Sequence, residues 1–147
     1  MSPELLPILF RFFRGWAEKT GKRKIAFIWH GGEPLLMGDR FWKEVLSAQR
    51  YIFGDGAISF VNRIQTNLTL LTPSRLPLLK DLLGREGAVG SSIEILKGIR
   101  ELANRPDGEY AERLNEAVDL LRKEKIRFGF IYVVHRLSLP KLSCCLL

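Results

Sequence analysis

The sequence predicts an α/β domain built on a parallel sheet of about four strands. Three observations lead to it. Apolar residues switch repeatedly between helical and strand periods; the strand-length runs are nearly continuous, as in a parallel strand covered on both faces; and glycine or proline breaks most of the runs at their ends. The element order is α-β-α-β-α-β-α-β, which implies right-handed crossovers and ligand binding at the carboxyl ends of the strands.

Each element has its own signal. Leu5, Leu9, Phe12, Phe13 and Trp16 recur at helical spacing and predict a first amphipathic helix, starting near Pro7 and ended by Gly21. Residues 24–30 (KIAFIWH) form the first strand, broken by Gly31-Gly32-Glu33-Pro34. Asp39 is the expected N-cap of a second helix with Phe41, Val45, Ala48 and Ile52 on one face, closed by Gly54 and Gly56. Residues 58–65 (ISFVNRIQ) give the second strand, and Thr72-Pro73 the cap and first position of a third helix running to Leu83. Gly84 and Gly87 precede a short strand over 88–93; a loop over 98–108 follows. Tyr110, Leu114, Val118 and Leu121 then mark the buried stripe of a fourth helix, and residues 126–134 (IRFGFIYVV) the last strand.

Composition narrows the class. At 147 residues one core is expected, and a complete eight-fold βα barrel of about 250 residues is excluded. The 23 Lys and Arg exceed the 16 Asp and Glu, for a net charge of +7. The basic residues gather as Lys19, Lys22, Arg23, Lys24 and as Arg122, Lys123, Lys125, Arg127, just before strands and without interleaved exposed aromatics. Solvated helix-to-strand turns are therefore expected, and no nucleic-acid partner. The two cysteines, Cys144 and Cys145, are adjacent and allow neither a disulfide framework nor a CxxC metal pair, which fits a reducing cytosol. No uncharged apolar run approaches the roughly 20 residues of a membrane helix, and the apolar start over 5–10 lacks a basic leader and a cleavage site. A soluble, cytoplasmic chain without a membrane partner is expected.

The residues able to carry chemistry cluster at the predicted strand ends: His30-Gly31-Gly32-Glu33-Pro34, Gln65-Thr66-Asn67, Ser91-Ser92-Ile93-Glu94 and His135-Arg136. In a parallel βα sheet these share one rim. Two glycines after a strand let a ligand approach the backbone with no Cβ in the way, although a single Gly-Gly-Glu-Pro is also an ordinary strand-ending turn. His30 and His135 lack a third ligand at sensible spacing and read as rim histidines.

Taken together, the phrase Phe27-Ile28-Trp29-His30-Gly31-Gly32-Glu33-Pro34-Leu35-Leu36, then Ile64-Gln65-Thr66-Asn67-Leu68, then Val89-Gly90-Ser91-Ser92-Ile93-Glu94 closely resembles the radical S-adenosylmethionine enzymes, in the branch of anaerobic sulfatase-maturating and related SPASM-type peptide modifiers. The resemblance runs from about residue 5 to about residue 140. It implies a partial (βα)6 barrel, with residues 1–140 a partial core domain and 141–147 a divergent or disordered tail. It further implies that the Gly31-Gly32-Glu33 backbone holds the amino group of the methionine moiety of S-adenosylmethionine. Ser92 and a downstream arginine, Arg100 before Arg105, would contact its carboxylate or ribose, and Gln65 and Asn67 would shape the same pocket. A peptide or protein substrate is implied as partner, and self-association through the open sheet edges is expected of such a partial barrel.

The chain also departs from the family. Its relatives hold a four-iron four-sulfur cluster on a CxxxCxxC loop after the first barrel strand, because thiolates match soft iron. Here no cysteine precedes Cys144. On the family pattern the chain opens at the helix following that strand, so the cluster loop, its strand and the sixth strand are expected outside it. Ile95-Leu96 stands where many relatives continue with Asp-Gly or a similar turn. The implied intact activity is reductive cleavage of S-adenosylmethionine with hydrogen abstraction from a peptide or protein, expected to be absent from this chain alone. A non-catalytic binding module that keeps the fold is the alternative.

Overall fold

Among the described residues a single sheet organises the fold, with four strands in the order β1-β2-β3-β4, every neighbouring pair parallel. The computed structural model describes residues 4–93, 109–132, 134, 136, 138 and 139. The elements are α1 (Leu5–Lys19), β1 (Lys24–Trp29), α2 (Asp39–Phe53), β2 (Ser59–Gln65), α3 (Leu76–Leu83), β3 (Ala88–Ile93), α4 (Glu109–Lys123) and β4 (Phe128–Tyr132), with single 3₁₀ turns at Pro34–Leu36 and Pro73–Arg75. Consecutive strands are neighbours throughout, which is barrel-like winding, and the four carboxyl ends lie along one rim.

Among the described residues, the helices cover one face of this sheet, and on the other face Val61 is buried while its neighbours in β1 are not. Strand β1 alternates: Ile25 and Phe27 are buried and Trp29 is half-buried, whereas Ala26 and Ile28 are exposed, Ile28 by 63%. The expectation of strands covered on both faces is therefore corrected. Register carries the bare face across the sheet, from Ile28 to Arg63 and from Gln65 to Gly90 and Gly129. Continuous apolarity in β1 reflects an apolar bare face, not a second helical layer.

Under the helices lies an aromatic core. Phe10 is fully buried, its ring centroid 5.1 Å from Phe27, 6.4 Å from Trp29 and 6.3 Å from Phe53, all edge-on; such pairs add about 0.5–1.5 kcal/mol beyond area burial. Helix α1 does not present the expected stripe to this core. Leu6, Phe10 and Ala17 are buried, while Leu5, Phe12 and Trp16 face outward. The helix carries apolar residues on two sides, and the smaller set, containing Phe10 and Ala17, fits closest to the sheet.

A buried amide pair ties the layers together. Asn62 Oδ1 accepts from Gln49 Nε2 (2.9 Å) and from Trp29 Nε1 (2.9 Å), while Asn62 Nδ2 donates to Gln49 Oε1 (2.9 Å) and to the Leu82 carbonyl (3.0 Å). Four elements, β1, α2, β2 and α3, thus meet on one side chain that is 1% exposed.

Helix boundaries differ in detail from expectation. Gly38, not Asp39, is the N-cap of α2, and Asp39 is its first residue, where a carboxylate still suits the helix dipole. Thr72 makes no side-chain cap; the chain forms a 3₁₀ turn at Pro73–Arg75 before α3 begins, and Thr72 Oγ1 bonds Ser74 instead. Gly21 ends α1 with φ +69°, and Lys22 N donates back to the Ala17 carbonyl. The last strand is shorter than 126–134, because Ile126 still belongs to the turn, its N–H bonded to Leu121.

Candidate functional site at the strand ends

Strand β1 stops at Trp29, and the next residues turn through backbone conformations that favour glycine. Gly31 has φ +106° and Gly32 φ +55°, and a Cβ built at either position meets nothing within 4 Å. Glycine is thus required here by backbone shape rather than by crowding, and the space beside it is open to a ligand. His30, Gly31 and Gly32 are all exposed.

Glu33 locks this turn to the neighbouring strand end. Its Oε1 accepts from Leu35 N at 2.9 Å, capping the Pro34–Leu36 turn, and from Thr66 Oγ1 at 2.5 Å; its Oε2 accepts from Asn67 N at 2.8 Å. Thr66 in turn donates its backbone N–H to the Gly90 carbonyl (3.0 Å) and accepts from Leu68 N (3.1 Å). One carboxylate therefore ties the ends of β1 and β2 together, and Thr66 extends the link to β3. Arg75 adds a brace by donating to the Leu35 carbonyl. Both carboxylate oxygens of Glu33 are thus engaged within the protein, which leaves the backbone groups of the Gly31-Gly32 turn exposed beside it.

Such a carboxylate is hard to replace. Glu33→Gln keeps the shape but can accept at one atom only, leaving either Asn67 N or the Thr66 and Leu35 donors opposite an amide N–H₂. We expect a loss of about 1–3 kcal/mol in stability for the lost charge-assisted bonds, read by urea unfolding, with Glu33→Asp no better because the shorter arm cannot span both partners. Unchanged stability in Glu33→Gln would mean the clamp is not formed in solution.

The remaining rim residues follow from the register. Gln65 pairs with Gly90 across β2 and β3, and a Cβ at Gly90 would overlap the Gln65 amide oxygen; glycine at 90 gives the Gln65 side chain its place on the bare face. Asn67 Oδ1 is occupied by Thr69 N (3.0 Å) and Thr69 Oγ1 (2.8 Å), an Asx turn that shapes the loop. Ser92 is half-buried near the end of β3, its carbonyl accepting from Tyr110 Oη at 3.3 Å. Leu68 sits between these with φ +67° while only 1% exposed, strain of the kind that accumulates at functional sites.

The structure thus brings Gly31, Gly32, Glu33, Gln65, Asn67 and Ser92 onto one rim. Arg100, with Glu94, Arg105, His135, Cys144 and Cys145, lies outside the described residues. Thr66, Gly90 and Tyr110 also shape the rim; the sequence placed Tyr110 only on the buried stripe of α4 and gave Thr66 and Gly90 no individual part in the site. Thr66 and Gly90 stood inside the quoted motifs, but their partners are visible only once the strands are paired. Carboxylates with perturbed acidity lie elsewhere: side-chain hydrogen bonds from Arg14, Lys24 and Lys80 hold Asp55, Glu86 and Glu124 below the usual range, all at the surface.

The rim fits the methionine end of S-adenosylmethionine, since an open glycine backbone lies beside polar groups from two further strands. It does not fit an iron-sulfur cluster. Among the described residues no group of three or more His, Cys, Asp or Glu is placed to hold a metal, and two adjacent cysteines lack the needed spacing. Anaerobic incubation with iron and sulfide is expected to leave substoichiometric, labile iron on the chain, whereas about four tightly held irons per chain would contradict this reading.

Fold and rim together define a partial parallel βα barrel with an exposed glycine loop at its strand ends. No family model matches the chain. Known proteins do. It is 33% identical over 122 residues to the serine-type anaerobic sulfatase-maturating enzyme of Klebsiella aerogenes, covering 81% of this chain and 29% of that protein. The cysteine-type enzyme of Clostridium perfringens is 30% identical over 112 residues, covering 74% and 29%. A solved structure of native anSMEcpe with bound AdoMet and Kp18Cys peptide superposes with TM-score 0.78 at 26% identity, covering 97% of this chain and 38% of that one. The chain is a homologue of the anaerobic sulfatase-maturating enzymes, in the radical S-adenosylmethionine superfamily, and spans about a third of their length. Among the described residues no helix is long and apolar enough to cross a membrane.

Proposed function

We propose that this chain is the part of a radical S-adenosylmethionine enzyme that seats the methionine moiety, with Gly31, Gly32 and Glu33 offering backbone groups to its amino group. Gln65, Asn67 and Ser92 line the same seat, and Arg100 supplies the cation for the carboxylate, a task suited to a guanidinium fork. The observation that carries this reading is the glycine turn with open space beside it, held in place by the three hydrogen bonds to Glu33. When S-adenosylmethionine is reductively cleaved it supplies a radical that removes a hydrogen atom from the substrate; the protein's share is orientation and shielding. The bare sheet face, with Ala26, Ile28, Gly129 and Ile131 exposed on it, is the surface we assign to a peptide substrate.

Alone, the chain binds without turning over, because the described residues offer no seat for a cluster. That same observation favours a second reading, an interaction module that keeps the fold and has no cofactor. Calorimetry with S-adenosylmethionine separates the two. The parent chain is expected to bind, and Gly32→Val to lose binding by more than about tenfold, since a β-branched residue cannot hold φ +55° and must move the turn as well as fill the open space beside it, while circular dichroism of the helices and sheet stays unchanged because the turn is exposed at the rim. Equal affinity in parent and variant, or none in the parent, would leave the interaction module as the account.

A further inference from the structure

We propose that the outward face of α1 is an interface between two copies of this chain, packed as an antiparallel helix pair. Four large apolar side chains share that face: Leu5, Ile8, Phe12 and Trp16, exposed by 51%, 63%, 67% and 47%. Their spacing of three, four and four residues lays them in one stripe along the helix. The opposite side of α1 already buries Leu6, Phe10 and Ala17, so the helix is apolar on both sides and satisfied on one. A contiguous apolar stripe of this kind, with two aromatic anchors, marks an interaction surface.

The charges at its ends select the occupant. Glu4 stands just before the helix and Lys19 in its last turn, on the same side as Trp16. Both are exposed, and neither has an ion-pair partner among the described residues. In an antiparallel pair related by a two-fold axis, Trp16 of one copy meets Leu5 of the other, Phe12 meets Ile8, and Lys19 falls beside Glu4 at both ends. A parallel pair would set Lys19 against Lys19 and align the helix dipoles unfavourably. An isologous contact repeats every interaction twice. The exposed ion pairs add little affinity but fix orientation, while Phe12 and Trp16 supply the buried area.

Sedimentation velocity over a concentration series tests this. The parent chain is expected to be a dimer and Phe12→Glu a monomer with unchanged circular dichroism, because residue 12 is outside the core. Glu4→Lys and Lys19→Glu should each weaken the dimer by about three- to tenfold, more at low salt, and the double reversal Glu4→Lys/Lys19→Glu should restore it. A monomeric parent, a dimer that survives Phe12→Glu and so pairs through its sheet edges, or a double reversal no tighter than the single ones would each overturn the proposal.

Discussion

Asn62→Leu is expected to cost about 3–5 kcal/mol, a large part of the stability of a domain this size. Leucine keeps the branched outline of asparagine but is bulkier, so the loss comes from stranded polar groups and some overpacking, and not from a cavity. It would strand both polar atoms of the Gln49 amide, the Trp29 indole N–H and the Leu82 carbonyl in a site from which water is excluded. Each orphaned group costs about 1–3 kcal/mol before relaxation. Removing both amides in Gln49→Leu/Asn62→Leu should cost clearly less than the sum of the single changes, because the two side chains satisfy each other. Urea unfolding of the three variants gives the numbers; a loss below about 1 kcal/mol in Asn62→Leu would mean that the network does not bind the layers together.

With unfolding measured at chain concentrations low enough to keep the protein monomeric, Phe10→Ala is expected to cost about 3–5 kcal/mol, and Phe12→Ala two positions away within about 0.5 kcal/mol. Phe10 is 0% exposed and meets Phe27, Trp29 and Phe53 edge-on, so truncation leaves a void that rigid aromatic neighbours cannot close. Phe12 is 67% exposed and touches only the ring of Phe13 among the aromatics. The contrast decides which side of α1 faces the sheet. Equal costs at the two positions would contradict the structure.

The two faces of α1 also show where sequence reading stops. Leu5, Leu6, Ile8, Leu9, Phe10, Phe12 and Phe13 wrap the helix, and periodicity alone cannot rank two apolar stripes when a neighbouring sheet makes the choice. Strands were easier. Glycine or proline follows β1 closely, and α3 and β3 are separated by Gly84 and Gly87, so element order and parallel pairing were readable from breakers and period. The bare face of β1 was not, since Ala26 and Ile28 are as apolar as Ile25 and Phe27.

At the rim, the residue types were legible because the Gly-Gly-Glu, Gln-Thr-Asn and Gly-Ser-Ser phrases resemble a known family. Their physical roles were not. The Glu33 clamp joins residues 33 and 34 positions apart, Thr66 and Asn67, through a closure that only strand pairing creates. Likewise the left-handed backbone at Leu68 has no signal in a leucine, a residue that rarely adopts it.

The central claim is that the strand-end rim is a seat for the methionine moiety, and backbone amide shifts test it directly. Titrating S-adenosylmethionine into ¹⁵N-labelled chain is expected to move the amides of Gly31 and Gly32, of residues 65–67 and of residues 90–92, and to leave α1 unmoved. Shifts scattered over α1 and α2, or none at millimolar ligand, would contradict the account.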